Sequence, residues 1–215
     1  MSHSFIHRTI TSLLDLIWPR LCLGCGTAGE EVCPDCLAQI ARSSEAEKNQ
    51  LALFDYQDPL AKKLIWHLKY KQRRRLGDIL GQALHQEFAM RLNLPETTLL
   101  IPIPLGAKRL AERGFNQASL IARGFAARDP KRFEFADKIL IKIKDTPSQV
   151  SIKHRAARLA NLAGAFAITK PELIAGRVII LIDDVTTTGG TLAEAKKVLK
   201  QAGAKKVITL VLAHG

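Results

Sequence analysis

Residues 179–191 read IILIDDVTTTGGT, and their order decides how the rest of the chain is read. Val178 and the four residues Ile179 to Ile182 form the continuous apolar run of a strand buried on both faces. Two carboxylates follow at once, Asp183 and Asp184. Then come Val185, the hydroxyls of Thr186, Thr187, Thr188 and Thr191, and the flexible backbone of Gly189 and Gly190. From Gly190 the pattern GTLAEAKKVLKQAG (190–203) turns helical and is closed by Gly203. A strand that passes through threonines and glycines into a helix offers an anion hydroxyls, free backbone N–H groups and a helix N-terminus. The carboxylates would repel that anion. They fit a ligand with hydroxyls beside its phosphate, because carboxylates accept from hydroxyls and help hold Mg²⁺ directly or through water. The stretch lacks both Gly-Lys-Ser/Thr and Gly-x-Gly-x-x-Gly, which excludes a Walker loop and a dinucleotide fingerprint.

Outward from this stretch, strands and helices alternate. LALFDY (51–56), TTLLIPIP (97–104), KILIKI (138–143), GRVIILID (176–183) and KKVITLVLAHG (205–215) read as strands. PLAKKLIWHLKY (59–70), LGDILGQALHQEFAMRL (76–92), GFNQASLIARGFAAR (114–128) and residues 190–203 read as helices. This order implies an α/β fold with a mostly parallel twisted sheet and helices on both faces. Ligands of such sheets bind beyond the carboxyl ends of the strands, here after Pro104 and after Ile182.

The four cysteines lie in CLGCGTAGEEVCPDC, as Cys22-x2-Cys25 and Cys33-x2-Cys36. Two such hooks supply the four thiolates of a closed structural zinc site. A segment this short has no core of its own, so the metal would stabilise it. Two disulfides are the rival reading; they need an oxidising compartment, and no export signal is visible. Ile6, Ile10, Leu13, Leu14 and Ile17 suggest an amphipathic N-terminal helix, but His7, Arg8 and Asp15 interrupt it. It reads as neither signal peptide nor membrane span, which points to a cytoplasmic protein with no transmembrane segment. The polar run ARSSEAEKNQ (41–50) reads as a linker, giving a zinc module over 1–42 and a large domain over 50–215.

The net charge is +12, and it is unevenly spread. Residues 1–50 hold 4 Lys/Arg against 6 Asp/Glu, so the remainder carries +14. Such a surface favours phosphate-rich partners, although a general solubility charge is the plainer account.

IILIDDVTTTGGT resembles the phosphoribosyl-diphosphate (PRPP) loop of the type I phosphoribosyltransferases. IPIPLGAKRLAERGFNQA (101–118) and TPSQVSIKHRAARLANLAGAF (146–166) are similar to the ComF/GntX family of competence-associated proteins, which joins a four-cysteine zinc module to a phosphoribosyltransferase-type domain. The resemblance runs from Cys22 to the last strand. It implies that Asp183 and Asp184 hold the ribose hydroxyls at the reacting centre, with Mg²⁺ bound alongside PRPP. It implies that Val185 and Thr186 to Thr191 wrap the 5′-phosphate, and that the turn bearing Lys108 and Arg109 meets the pyrophosphate. Lys69 falls where the family often shows Lys-Tyr beside the site. The segment with Gln149, Lys153, Arg155 and Arg158 is similar to the loop that closes over substrate and excludes water. The association with natural transformation and DNA uptake adds single-stranded DNA, and other competence proteins, as expected partners.

For DNA the candidate residues are Lys69, Lys71, Arg73, Arg74 and Arg75 in WHLKYKQRRR (66–75), together with Arg113. A solvated basic face is the competing account of each basic segment. Trp66 is expected to pack against its own domain rather than on a base. No acceptor base and no general base are legible, so the alternative to a transferase is a protein of this fold that senses PRPP or nucleotides, or binds DNA, without catalysis.

Overall fold

The computed structural model describes residues 19–44, 46–47, 50–144 and 162–215. The N-terminal helix expected over 6–17, and Gln149, Lys153, Arg155 and Arg158, lie outside these. The chain divides into two compact units, residues 1–41 and 42–215.

In the first unit the described chain doubles back at Leu21 and Ala28, which form an isolated antiparallel bridge. A one-and-a-half-turn helix, α1 (Pro34–Gln39), follows, with Pro34 in the first turn. Proline is tolerated there because that N–H has no helical partner anyway. Buried apolar side chains are few: Leu23, Val32 and Ile40, beside Cys22 and Cys36.

The second unit is built on a six-stranded sheet. Its strands are β1 (Ala46–Glu47), β2 (Gln50–Asp55), β3 (Thr98–Pro102), β4 (Phe133–Phe135), β7 (Val178–Thr186) and β8 (Lys206–His214), in the order β1-β2-β8-β7-β3-β4. The five strands from β2 to β4 are parallel, and β1 pairs antiparallel at one edge. Arg42 bridges to Phe54, so part of the stretch expected as linker runs back along the sheet. A separate antiparallel pair, β5 (Leu140–Lys142) and β6 (Phe166–Ile168), joins Lys142 to Phe166 in register.

Helices α2 (Pro59–Tyr70), α3 (Arg75–Phe88), α4 (Ala107–Arg113), α5 (Gln117–Ala126) and α6 (Gly190–Gln201) complete the unit. One core cluster gathers Ile179 and Leu181 of β7, Leu140 and Phe166 of the small sheet, and Leu192, Ala195 and Leu199 of α6. None of its members comes from α2, α3 or α5. Since strand side chains alternate in direction, Ile180 and Ile182 face the opposite layer. That layer is tight: a Cβ on Gly81 would stand 2.1 Å from the Ile121 carbonyl oxygen, and one on Gly124 2.5 Å from that of Asp78. Glycine at both positions lets α3 and α5 pack backbone to backbone.

From β3 the chain crosses through α4 and α5 to β4 on one side, while β7 lies on the other side of β3. The carboxyl ends of β3 and β7 therefore form a topological switch point, where parallel sheets open a ligand crevice.

Two expectations are corrected here. Residues 107–113, expected as a turn with basic side chains, form helix α4 between Gly106 and a left-handed Gly114 at φ 71°. The following helix starts at Gln117 rather than 114, because Asn116 caps it by accepting from the Ala118 N–H at 3.1 Å.

Candidate functional site: a carboxylate crevice and a four-thiol cluster

β7 extends to Thr186 because β8 runs beside it throughout, with Thr186 opposite His214. Asp183 and Asp184 are thus strand residues at its carboxyl end. Alternation sends them to opposite faces of the sheet. Asp184 meets α2: the Lys69 ammonium donates to its Oδ1 at 2.9 Å, with the two side chains 20% and 12% exposed. Burial alone would lower the Lys69 pKa, but Asp184, and Asp183 behind it, more than offset this and raise it. Asp183 stands on the α6 side, where its Oδ1 accepts from the Asp184 N–H at 2.8 Å. Burial, then repulsion from Asp184, push Asp183 up to about 7 against the pull of that N–H, Lys69 and Lys142.

The threonine–glycine turn sits between β7 and α6. Thr186 is buried at the strand end, Thr187 is exposed, and the hydroxyl of Thr188 is buried with no hydrogen-bond partner among the described residues. Gly189 caps α6 at φ 69°, a left-handed conformation that glycine adopts at least cost. The N–H groups of the first helical turn, from Gly190 on, have no carbonyl before them within the helix. Acid, buried hydroxyl and helix N-terminus therefore converge on one strand end, in the order read from the sequence.

β3 closes the crevice from the other side. The Ile103 N–H donates to the Ile182 carbonyl at 2.8 Å, and Asn116 Nδ2 donates to the Ile103 carbonyl at 2.9 Å. This anchors the start of α5 beside Asp183 and Asp184. Gln117, its first residue, is 1% exposed, and neither end of its amide has a hydrogen-bond partner among the described residues. In the sequence the only signal of Gln117 is a polar side chain on the otherwise apolar face that α5 turns inward.

The remaining basic candidates divide. Arg113, on the last turn of α4, is near enough for its charge to act on Lys69. Lys108 is exposed and Arg109 half-buried on α4, and neither forms an ion pair among the described residues. Lys71, Arg74 and Arg75 are exposed around the α2–α3 turn, and Arg73 is half-buried. Trp66 does not pack inward as expected: it is 47% exposed on α2, one turn from Tyr70, which is 58% exposed. The apolar stripe of α2 (Ala61, Leu64, Ile65, Leu68) fills the buried face and leaves these rings outside. At the base of the segment expected to close over substrate, the Gly164 N–H donates to Glu194 of α6 at 2.8 Å.

In the first unit the sulfurs of Cys22, Cys25, Cys33 and Cys36 lie within 4.8 Å of one another, and all four thiols are free. Cys33 is 3.7 Å from Cys22 and 3.8 Å from Cys25. A tetrahedron with Zn–S bonds of about 2.3 Å has S–S edges of about 3.8 Å, and the two Cys33 separations match such edges. These separations exclude disulfide bonds. Burial would raise the Cys22 pKa, but N–H groups of Cys33, Cys25 and Gly24 outweigh it and bring it down to about 6. Hydrogen bonding to Thr27 lowers that of Cys25. The four thiols could hold a metal such as zinc.

Residues 110–215 match the phosphoribosyl transferase domain family. The competence protein ComFC of Streptococcus pneumoniae is 30% identical over 207 residues, spanning 89% of this chain and 86% of its own. The chain belongs to the ComF/YhgH family of competence and DNA utilization proteins. A DNA utilization protein YhgH of Salmonella typhi is 31% identical over 162 residues, 73% of this chain and 68% of its own length. Among solved structures, the glutamine PRPP amidotransferase of B. subtilis aligns with 68% of this chain and 30% of its own at a TM-score of 0.44 and 18% identity. The family matches join the competence proteins to the fold already evident from the strand order, and no described helix is long and apolar enough to cross a membrane.

Proposed function

We propose that the crevice between β3 and β7 binds PRPP together with Mg²⁺, and that the protein transfers the phosphoribosyl group with release of pyrophosphate. The observation that carries this reading is the strand end itself. A carboxylate on each face of β7 leads straight into the buried Thr188 hydroxyl and the N-terminus of α6. A ligand with vicinal hydroxyls next to a phosphate complements both halves. Asp183 and Asp184 accept from the ribose hydroxyls, while Thr187, Thr188, Gly189, Gly190 and Thr191 surround the 5′-phosphate. The hard oxygen donors of the two aspartates suit Mg²⁺ directly or through water, and the ion would neutralise charge on the pyrophosphate oxygens.

In the transfer, the bond from C1 to the pyrophosphate oxygen breaks and the electron pair leaves with pyrophosphate. A bond forms from C1 to the acceptor, which gives up a proton. Lys69 keeps Asp184 oriented, and the cations of α4, Lys108, Arg109 and Arg113, face the departing charge. The segment with Gln149, Lys153, Arg155 and Arg158 would close over the site and limit hydrolysis. Calorimetric titration with PRPP and Mg²⁺ tests the binding. Asp183→Ala/Asp184→Ala should abolish it, and pyrophosphate release with candidate acceptors tests the transfer. If PRPP fails to bind the wild-type chain, the reading falls. If it binds but no pyrophosphate is released with any acceptor, the protein is a sensor that retains the fold.

A second function is favoured by the charge of the large unit and by the competence and DNA utilization roles named for its relatives. We propose that the protein contacts single-stranded DNA in the cytoplasm, where its four thiols stay reduced and bind zinc. Lys71, Arg73, Arg74, Arg75 and Arg113 supply the cationic surface; Lys69, expected to join them, is instead turned inward and committed to Asp184. Each phosphate contact should contribute roughly −0.7 to the log–log salt slope of binding. A flat salt response would sink this reading.

A further inference from the structure

The exposed rings of α2 stand in an arrangement that charge alone does not require. Trp66 and Tyr70 are four residues apart on one helical face, with ring centroids 6.1 Å apart. Each carries a cation on its face: Lys71 Nζ lies 5.0 Å from the Trp66 ring, and the Arg113 guanidinium 5.1 Å from the Tyr70 ring. Lys71 comes from the end of the same helix. Arg113 comes from α4 and is brought over by the α2–α3 turn, where Gln72 Nε2 donates to the Arg113 carbonyl at 3.4 Å. Gln72 itself sits at φ 56°, a left-handed conformation uncommon outside glycine.

Residues 59–75 hold Lys62, Lys63, Lys69, Lys71, Arg73, Arg74 and Arg75 and no acid. The field is felt locally: burial and the charges of Arg73, Lys63 and Lys71 hold His67 below its usual range. Two solvent-facing aromatic rings on a soluble helix lose the benefit of burial that such rings usually gain. Flat rings flanked by phosphate-binding cations are the combination that grips single strands, because every base offers a π-face whatever its sequence.

We infer that Trp66 and Tyr70, with Lys71 and Arg113, form a base-stacking platform for single-stranded nucleic acid at the rim of the carboxylate crevice. The inference deepens the DNA-contact reading and rests on it. It is independent of whether PRPP binds. The strand would lie along the exposed face of α2, with bases on Trp66 and Tyr70 and backbone phosphates toward Lys71, Arg73 and Arg113. Its end at Tyr70 adjoins Lys69, and so Asp184.

The test uses the full chain and two labelled strands of about 20 residues, within the span that several contacts would cover: oligothymidylate, and a sugar–phosphate strand of equal length without bases. At equal salt the baseless strand should bind about tenfold or more weakly. Trp66→Ala and Tyr70→Ala should each weaken oligothymidylate about tenfold and leave the baseless strand unchanged, while Trp66→Phe and Tyr70→Phe retain most of the affinity. Oligothymidylate should quench the tryptophan fluorescence of the wild type but not that of Trp66→Phe. Equal binding of both strands, or no effect of the alanine variants on oligothymidylate, overturns the platform and leaves the charge-based reading standing. No binding of either strand overturns both.

Discussion

Lys69 at the end of α2 and Asp184 at the end of β7 are joined by a 2.9 Å ion pair in which neither side chain is more than 20% exposed. The pair fixes the strand end against the helix layer and cancels one of two adjacent negative charges. Lys69→Met would leave Asp184 charged and poorly solvated, at a cost of about 2–4 kcal/mol. Lys69→Met/Asp184→Asn should recover most of that loss. Urea denaturation of the two single variants and the double variant measures the coupling. Additive losses would mean the pair does not form in solution.

The position of Asp183 predicts two opposite responses to pH. Its folded pKa of about 7 lies above the ordinary 3.8, so folding favours its protonated form. Its contribution to stability is complete below about pH 4 and is lost as pH rises through 7. Binding runs the other way, because only the carboxylate accepts from two ribose hydroxyls. Affinity for PRPP should rise about tenfold between pH 6 and pH 8, and Asp183→Asn should remove that rise. Titrations across this range, read against the thermal stability of the ligand-free chain, check both signs.

Gln117 tests what a buried amide without partners among the described residues costs. Gln117→Met keeps the length of the side chain and removes both polar atoms. It should stabilise the ligand-free protein by about 1–3 kcal/mol, read as a rise in Tm of about 2–4 °C per kcal/mol. A fall in Tm would show that the amide is satisfied by other means, such as an internal water.

The four-thiol cluster predicts a stability confined to the first unit. Metal analysis should find zinc bound, and Cys22→Ser or a chelator should release it. Limited proteolysis should then cut within residues 19–41 while the fragment from residue 42 onward stays resistant. Cleavage spread through the large unit would contradict a metal that stabilises only its own module.

The features legible in the sequence were those set by local pattern. Ile179 to Ile182 announced a buried strand, α2 begins and ends where its apolar spacing places it, and the cysteine spacing gave the cluster. Features set by distant partners were not legible. The strand continues beyond Asp183 through Thr186 because β8 lies beside it, which nothing in the DVT run suggests. Arg42 and residues 46–47 return to the sheet edge because β2 leaves that edge open. The three residues of β4, Phe133–Phe135, are too short for periodicity and exist as a strand through pairing with β3. Lys69 and Arg113 could be named as basic residues, but Lys69 finds Asp184, and Arg113 finds Tyr70, only through the packing of α2, α3 and α4. For Trp66 the size of the ring argues for burial, while its place on the helix, off the Leu64–Leu68 stripe, leaves it exposed.

The alternation along β7 has a consequence for how this chain can vary. Asp183 and Asp184 differ in role only because the strand turns successive side chains to opposite faces. One residue inserted or deleted between Ile179 and Asp183 would leave composition, hydrophobicity and the DD pair intact. It would nevertheless exchange the two carboxylates, so that the wrong one faced Lys69. The number of residues between Val178, where β7 begins to pair with β8, and its first aspartate is therefore as much a part of the site as the aspartates themselves.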